Sequence, residues 1–489
     1  MGKFVVKYRK FILLLAVILI IPALIGMFST KVNYDMLNYL PNSMETVIGQ
    51  EKLMEEFHKG AFSMIITEGL SSNAEANLET ELKKIEHVDT VLGLGTIENA
   101  GLPAEFLPDN IYNTFHKGNE SLIAVFFDTS SSAEETINAI KEIRRVVDGK
   151  AYVSGMSAFT TDLRELSGNE ELFYIIIAVA LALIVMLLLL DNWLAPILFL
   201  VSIGVMILYN LGTNIFLGEI SYITKALSAI LQLAVTMDYS IFLWHSYREH
   251  LATNNNPDHA MEHAIKATLS SVFGSSATTV AGFIALCFMT FTLGVDLGIV
   301  MAKGVILGVI GSVTILPALI LTFDKPLRKL DHKSILPDFT KLSSKIVKIF
   351  PAFVVIFVAI IPPFLYGYQK TNDNVYYTIS DSLPSDMPFA IANQKLSENF
   401  GLQNVHMILS DAHLDIDSAL NMTNDLKNIA GVKSVLNLES VIGDQIPAEI
   451  LPTEILDILK SENYELTLVI SEYKTATPEI AGQINSINQ

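Results

Sequence analysis

An aspartate and a tyrosine stand together in the middle of an otherwise apolar stretch of the sequence. Asp238 and Tyr239 lie within the run 223–247, which is long enough to cross the roughly 30 Å of hydrocarbon in a bilayer. A central aspartate costs about 2.5 to 3.5 kcal/mol on insertion scales, so it should face the bundle interior or a wet cavity. Because burial raises the pKa of a carboxyl and a nearby cation lowers it again, a carboxyl balanced between them can load and release a proton. The pattern favours a proton-carrying residue over an aspartate that only holds helices together.

Three polar side chains fall on one stripe of the same span. With the periodicity of an α-helix, Ser228, Gln232 and Tyr239 align next to the face that carries Asp238. They are predicted to supply hydrogen-bond partners and water sites for the carboxyl.

The next apolar run, 269–290, is rich in small hydroxylated residues. Ser275, Ser276, Thr278 and Thr279 precede Gly282. Small residues let helices approach closely, and their hydroxyls can also hydrogen-bond a carboxyl on a neighbouring helix. The sequence leaves two alternatives open for Ser275, Thr278 and Thr279, which are support of a proton relay and helix packing alone.

Other titratable residues have less specific explanations. Lys303 lies early in the sixth apolar run, where it either pairs with Asp238 or extends its long side chain to the outer surface. Its place in the chain favours the second alternative. His259 and His263 have the i, i+4 spacing of a metal pair, but two histidines alone are a weak signal, so a solvated connector is favoured over a metal site.

The composition is typical of a membrane protein that carries soluble domains. Of 489 residues, 51% are hydrophobic and 17% are charged. The formal net charge of −19 argues against nucleic acid as a partner, because phosphate binding needs clustered Lys and Arg. The single cysteine, Cys287, cannot form an intrachain disulfide. Neither a phosphate-binding GxxxxGKS/T loop nor a GxSxG nucleophile elbow occurs, so we expect no cofactor, no ATP-driven step and no enzyme.

Seven apolar runs are long enough to span a bilayer. Basic residues precede the first run and crowd the connection between the sixth and the seventh, and the positive-inside rule places both in the cytoplasm. The first run also has features of a signal peptide, but a similar run recurs inside the chain, so a retained span is favoured. The runs are 11–29, 172–190, 193–209, 223–247, 269–290, 298–323 and 349–368.

The chain contains an internal repeat. The segment Leu-Pro-Ala-Glu-Phe-Leu-Pro at 102–108 returns as Ile-Pro-Ala-Glu-Ile-Leu-Pro at 446–452, and each copy follows an apolar run and a Leu-Pro pair. A long-period repeat of this kind indicates a transporter built from two halves. The second copy ends before any counterpart of five further apolar runs, so we expect a fragment of a longer protein or a chain that ends short of one.

The two long polar segments are predicted to be mixed α/β domains outside the membrane. In each segment β-type runs alternate with helix-like stretches, and two β-α-β units in tandem favour a split βαβ, ferredoxin-like domain. The second copy should lack the last strand. The predicted strands are 61–67, 88–94, 122–128 and 151–154 in the first copy, and 405–409, 432–436 and 466–470 in the second.

The sequence that begins at Asp238 resembles a motif of a known transporter family. The run Asp-Tyr-Ser-Ile-Phe-Leu at 238–243, continuing to Ser-Tyr-Arg-Glu at 246–249, is similar to the fourth helix of the MmpL branch of the resistance-nodulation-division (RND) superfamily. The segments 275–283 and 316–319 are similar to the family as well. The resemblance implies a proton-motive-force-driven exporter of lipids or other hydrophobic molecules in a bacterial cell membrane. It also implies that Asp238 and Tyr239 belong to a proton relay, completed in the family by a second Asp-Tyr pair on a tenth helix.

The expected fold is an α-helical multi-pass membrane bundle with α+β ferredoxin-like outer (porter) domains and an internal duplication. The expected partners are a lipid or hydrophobic small-molecule substrate, protons and the membrane, with a homo-oligomer left open. Two alternatives to export are a SecDF-like translocation accessory and a lipid- or sterol-sensing protein, and the Asp-Tyr pair favours export. The predicted domains are a first helix at 1–30, a first porter domain at 31–171, a five-helix bundle at 172–323, a cytoplasmic linker at 324–348, a seventh helix at 349–368 and an incomplete second porter domain at 369–489.

Overall fold

The computed structural model describes residues 1–99, 109–333, 344, 346–372, 383–442 and 453–489. The repeated segments at 102–108 and 446–452 lie outside the described residues. The chain divides into two compact units. We call Met1–Pro41 with Leu166–Tyr366 the helical unit, and Asn42–Glu165 with Gly367–Gln489 the mixed unit.

Helices and strands are numbered along the chain. The helices are α1 (Gly2–Lys7), α2 (Arg9–Ser29), α3 (Glu45–Phe57), α4 (Ser72–Leu82), α5 (Leu94–Asn99), α6 (Asp109–Phe115), α7 (Glu134–Val147), α8 (Met156–Leu189), α9 (Ala195–Gly212), α10 (Tyr222–Asn254), α11 (Pro257–Leu286), α12 (Leu293–Val313), α13 (Ile315–Thr322), α14 (Asp324–Lys329), α15 (Phe350–Asn372), α16 (Pro388–Phe400), α17 (Ile416–Asn428), α18 (Leu438–Ile442), α19 (Thr453–Leu459) and α20 (Pro478–Ile487). The strands are β1 (Lys31–Asn33), β2 (Ala61–Glu68), β3 (Val88–Leu92), β4 (His116–Lys117), β5 (Glu120–Phe127), β6 (Ala151–Ser154), β7 (Glu219–Ser221), β8 (Asn404–Asp411), β9 (Val432–Leu436) and β10 (Tyr464–Ser471).

Seven helical segments among the described residues are long and apolar enough to cross a membrane. Each corresponds to one of the predicted apolar runs, so the chain is a multi-pass membrane protein. The second segment begins at Met156 rather than at residue 172, because backbone hydrogen bonding continues the helix through polar residues ahead of the apolar run. The segments are Arg9–Ser29, Met156–Leu189, Ala195–Leu217, Tyr222–Thr253, Pro257–Leu286, Leu293–Thr322 and Phe350–Thr371.

The helical unit packs around aromatic side chains and glycine contacts. Trp244 on α10 meets Phe199 of α9 edge to face, with 6.2 Å between ring centroids. α2 crosses α9 so closely that a Cβ at Gly26 would lie 2.1 Å from the carbonyl oxygen of Gly212. Only glycine fits at this crossing. The short parallel pair β1 and β7 then joins the end of α2 to the start of α10.

The first sheet of the mixed unit has the strand order β3-β5-β2-β6, with β4 added on β5. Its pairs are antiparallel, and β2 aligns with β5 over its whole length from Ala61 opposite Phe127 to Glu68 opposite Glu120. α7 buries one apolar stripe, Ala139, Ile140, Ile143 and Val147, in the sheet's core. That helical spacing is why this segment forms an amphipathic helix.

The second sheet of the mixed unit has the order β8-β10-β9 and is also antiparallel. Each of the seven strands predicted from the sequence is present, with ends within a few residues of those expected. α16 packs on the first sheet, where the Asp162 carboxylate accepts hydrogen bonds from Arg144 Nη1 at 2.5 Å and from the backbone N–H of Phe389 at 2.8 Å. The two chain segments of the mixed unit therefore share one core.

Candidate functional site

α10 places Asp238 at its midpoint. The helix runs from Tyr222 to Asn254, 33 residues, and begins where the Ser221 hydroxyl accepts a hydrogen bond from the N–H of Ile223 at 3.1 Å. Because a helix rises about 1.5 Å per residue, each end of α10 lies roughly 24 Å from Asp238. The carboxyl therefore lies at the centre of α10, far from both ends of the helix.

α10 has a buried face and an exposed face, and the two candidate relay residues lie on different ones. Tyr239 is buried within the helical unit, whereas Asp238 is exposed. The buried stripe consists of Ser228, Gln232, Thr236, Tyr239, Leu243 and Tyr247. The exposed stripe consists of Leu227, Leu231, Ala234, Asp238, Phe242, His245 and Glu249.

Asp238 lines an open cavity of about 480 Å³ on the exposed face. The expectation was a carboxyl in the bundle interior or in a wet cavity, and the structure places Asp238 outside the packed interior, beside an open cavity. Five of the eight lining residues are polar and offer hydrogen-bond partners to water. The lining residues are Asp238, Ile241, Phe242, His245, Ser246, Glu249, His250 and Ala267.

Gln232 faces away from this cavity. It is buried, and its Oε1 accepts a hydrogen bond from Asn210 Nδ2 of α9 at 3.0 Å. A Cβ added at Gly304 of α12 would lie 2.7 Å from Asn210 Nδ2, so α12 approaches these amides closely. Gln232 therefore joins α9, α10 and α12 and lies on a different face from Asp238.

The hydroxyl groups of α11 bond to their own helix. Ser275 Oγ donates to the carbonyl of Val272 at 3.0 Å, and the hydroxyls of Thr278 and Thr279 donate to the carbonyl of Ser275 at 2.8 and 2.9 Å. Ser275 and Thr278 are exposed and Thr279 is half-buried. In this structure these hydroxyls satisfy backbone carbonyls, and a link to Asp238 would need them to turn.

Lys303 binds the C-terminal end of α9. Its ammonium donates to the carbonyl of Asn210 at 3.0 Å and to Asn214 Oδ1 at 2.5 Å. The first alternative, a pair with Asp238, is not the arrangement found. The second, a side chain reaching to the surface, is replaced by a half-buried contact between α12 and α9. Sequence reasoning missed Asn210 and Asn214, although asparagines at the end of a membrane span are a signal of interhelical bonding.

A charged cluster fixes the far end of α10. Arg248 donates to Asp191 at 3.0 Å and to Asp331 at 2.9 Å. Trp244 Nε1 donates to the same Asp191 at 3.0 Å, and Tyr247 donates to Asp324 at 3.1 Å. These bonds tie α10 to the loops that flank α9 and α14. Sequence reasoning noted this stretch only as part of the motif, since the partners are remote in the chain.

The histidines next to this end pack on each other. The rings of His250 and His263 lie 5.3 Å apart, and those of His259 and His263 lie 4.7 Å apart. Within the described ranges, no three His, Cys, Asp or Glu side chains are grouped so that they could hold a metal ion.

Part of this chain is similar to a known protein family. Residues 118–333 match the MMPL family. The siderophore exporter MmpL5 of Mycobacterium tuberculosis is 25% identical over 377 residues, 73% of this chain and 38% of the relative. The probable transport protein MmpL12 of the same organism is 25% identical over 210 residues, 40% of this chain and 18% of the relative. The putative membrane protein SCO5905 of Streptomyces coelicolor is 26% identical over 210 residues, 41% of this chain and 25% of the relative.

The matched regions cover less than half of these relatives' own lengths. Among solved structures, SecDF, a translocon-associated membrane protein from Thermus thermophilus, aligns over 65% of this chain and 38% of that one. Its TM-score is 0.37 and its identity 14%, and a similarity at this level carries no argument.

Proposed function

We propose, from the premise that residues 118–333 are an MMPL-family region, that this chain belongs to a proton-driven membrane transporter of lipids or other hydrophobic molecules. Asp238 is the proton carrier and Tyr239 its partner in the relay. The observation that carries the proposal is the carboxyl of Asp238 at the midpoint of α10, in contact with an open cavity. From residue 226 to residue 244 the helix holds no other acid or base apart from the phenol of Tyr239.

The coupling follows from the two environments on either side of α10. A charged Asp238 needs water or a cation, whereas a protonated Asp238 tolerates apolar surroundings. When Asp238 takes up a proton, this face of α10 becomes more stable in apolar surroundings. When Asp238 releases the proton, the same face becomes more stable in water. Because the opposite face is packed against α9 and α12, a shift of α10 is passed to those helices.

Tyr239 is placed to take part from the buried side. Its phenol follows Asp238 by one residue, about 100° around the helix, and lies in the packed interior. A rotation of α10 that brings Asp238 inward would move Tyr239 with it. Gln232, Ser275, Thr278 and Thr279 are assigned supporting roles that require such a rearrangement, because their present partners are Asn210 and backbone carbonyls.

The proposal includes the architecture of the outer domains. The antiparallel order β3-β5-β2-β6, with α4 after β2 and α7 after β5, supports a ferredoxin-like porter domain. The segment from α16 to α20 repeats the order of elements from α3 to α7, and the order β8-β10-β9 repeats the first three strands of that domain. This repetition supports an internal duplication, with porter domains near 31–171 and 369–489.

The proposed site of action is a bacterial cell membrane, with the N-terminus in the cytoplasm. Lys3, Lys7, Arg9 and Lys10 lie at the start of α2, and the connection between α14 and α15 is rich in lysine. Basic residues therefore flank the first six membrane segments at both ends, and the positive-inside rule places such residues in the cytoplasm. One relative is named a siderophore exporter and another a probable transport protein, which supports export, and a hydrophobic cargo is the substrate class that we assign.

The test is export in vesicles that contain the reconstituted full chain and a fluorescent lipid, with an imposed pH gradient. Asp238→Asn keeps the shape of the side chain and removes its titratable proton, so it should abolish gradient-driven export without unfolding the bundle. Tyr239→Phe removes one hydroxyl and should reduce export less. Export by Asp238→Asn at the wild-type rate would make Asp238 a packing residue and favour the lipid-sensing alternative.

A further inference from the structure

The exposed stripe of α10 differs on the two sides of Asp238. Toward the start of the helix it presents Leu227, Leu231 and Ala234, which offer no proton acceptor. Toward the end it presents His245 and Glu249 after a single apolar residue. The polar part of the stripe therefore leads from the centre of the helix to one end only.

The positions along the helix match the depth of a membrane. At about 1.5 Å per residue, His245 lies roughly 10 Å and Glu249 roughly 16 Å along the axis from Asp238. Half of a bilayer's hydrocarbon core is about 15 Å. With Asp238 at the centre, His245 is inside the apolar layer and Glu249 is at its edge.

One cavity contacts all three side chains. Its volume is about 480 Å³ and its lining includes Asp238, His245 and Glu249, together with the hydroxyl of Ser246. A water molecule takes up about 30 Å³ of liquid, so the space admits a chain of several waters. Because a direct hydrogen bond spans only about 3 Å, the gaps between the three side chains require such a chain.

We propose that this cavity is the aqueous route by which Asp238 exchanges protons with the cytoplasmic side, and that His245 and Glu249 carry protons along it. The inference rests on the proposed function and adds the direction and the carriers of the proton. For release, the carboxyl O–H bond of Asp238 breaks and the proton passes through water to an imidazole nitrogen of His245. That N–H bond then breaks, and the proton passes to the carboxylate of Glu249 and to bulk water. One proton has moved and every carrier is restored.

Histidine suits the middle position because it is the side chain that ordinarily changes charge near neutral pH. The other titratable group that lines the cavity is His250, also on α10. From α11, Ala267 lines the cavity, while the ring of His263 lies 5.3 Å from that of His250 and Lys266 precedes Ala267 in the chain. These groups surround the route at its cytoplasmic mouth.

The experiment measures hydrogen–deuterium exchange of the protonated Asp238 carboxyl by infrared spectroscopy, in the full chain reconstituted in vesicles. The carboxyl band is assigned as the one that Asp238→Asn removes. His245→Gln should slow the exchange by about a hundredfold or more, the lower end of what a positioned acid–base group contributes. His245→Glu, which keeps a titratable group, should stay within a few-fold of the wild-type rate.

His259→Gln is the matched control, since the same substitution is made on an exposed histidine that does not line the cavity. It should leave the rate unchanged. Glu249→Gln, at an exposed position, provides a second slow variant in case His245→Gln fails to fold. Wild-type exchange rates in both His245→Gln and Glu249→Gln would overturn the proposed route.

The outcome is separable from that of the proposed function because the exchange needs no cargo. If Asp238→Asn abolishes export while His245→Gln and Glu249→Gln both exchange normally, the transporter stands and the route is wrong. If Asp238→Asn exports normally, the transporter proposal fails, and the exchange rates alone decide whether the cavity conducts protons.

Discussion

At the scale of single residues, the two aspartates Asp238 and Asp296 of the membrane segments have different surroundings. Asp238 has a cavity beside it, whereas Asp296 accepts hydrogen bonds from the N–H of Ser221 at 2.7 Å and from the Thr224 hydroxyl at 2.6 Å. Asp296 is thereby committed to holding the start of α10. Of these two aspartates, Asp238 is the one for which we propose a proton-carrying role.

Lys303 is expected to act on stability and not on proton transfer. Lys303→Ala removes the donor that Lys303 supplies to Asn214 Oδ1, and an unsatisfied buried polar group costs about 1 to 3 kcal/mol. Thermal unfolding should therefore occur at a lower temperature. Export should keep its wild-type dependence on pH.

The matched control is Lys225→Ala. Lys225 contacts Glu171 at 2.8 Å, but a partly exposed ion pair of this kind contributes at most about 1 kcal/mol. A displaced pH profile of export in Lys303→Ala, absent from Lys225→Ala, would mean that Lys303 acts on Asp238 after all.

At the scale of elements, α10 and α12 are held together by glycine contacts with polar side chains. A Cβ added at Gly308 would lie 2.4 Å from Thr236 Oγ1, closer than real Cβ atoms come. Thr236 is buried and has little room to yield. The close approach of the two helices therefore depends on the missing side chain.

Gly308→Ala should destabilise the helical unit by about 1 to 3 kcal/mol, the usual range for overpacking. The comparison is Gly282→Ala on α11, where an added Cβ meets no atom within 4 Å. That variant should be neutral or stabilised by up to about 1 kcal/mol, because alanine is the better helix former. Thermal unfolding in detergent would measure both, and equal stability of the two variants would contradict the packing account.

In the mixed unit, Glu465 on β10 has a carboxyl whose pKa is raised. Burial, and next the hydrogen bond and charge of Glu439 on α18, raise the pKa of Glu465 to about 7, while the charge of Lys460 and a backbone hydrogen bond from Leu438 lower it. The folded state therefore binds more protons than the unfolded state between about pH 4.5 and 7. The contribution of Glu465 to stability is present below that window and is lost as the pH rises through it.

The expected result is a mixed unit that becomes more stable on acidification from pH 8 to pH 5. Glu465→Gln should remove much of this dependence, and the exposed Glu479→Gln should keep it. Hydrogen exchange of residues 464–471 at both pH values would report the change. If the stability of the wild-type mixed unit rose with pH, or if Glu465→Gln left its pH dependence unchanged, the predicted effect of Glu465 on stability would be wrong.

At the scale of the whole molecule, the mixed unit is assembled from segments more than two hundred residues apart in the chain. Asp162, from the first segment, is almost fully buried and binds both Arg144 and the backbone of Phe389 in the second. Breaking one partner of a buried pair costs about 3 to 5 kcal/mol. Asp162→Ala should therefore loosen both segments.

Faster hydrogen exchange in β8, residues 404–411, of Asp162→Ala would show that the segments unfold as one body. Glu165→Gln, which breaks an exposed pair with Lys141 at 3.1 Å, should leave that exchange within error of the wild type. Protection of β8 that is unchanged in Asp162→Ala would mean that the two segments are independent.

The sequence was sufficient where the pattern is local. Apolar length located the seven helices, and alternation of strand and helix patterns located the strands of the mixed unit. It was insufficient where the outcome depends on rotation about a helix or on remote partners. Nothing local shows that Gln232 points toward Asn210, that Lys303 meets Asn214, or that Arg248 is held by Asp191 and Asp331, because those contacts are set by the packing of separate helices.

The central claim is that Asp238 couples proton movement to transport. The most direct measurement follows the internal pH of vesicles that contain the reconstituted full chain, with a pH-sensitive dye, when a fluorescent lipid cargo is added. The wild type should move protons only when cargo moves, and Asp238→Asn, with unchanged thermal unfolding, should move neither. Cargo movement without proton movement in the wild type, or proton movement at the wild-type rate in Asp238→Asn, would contradict the account.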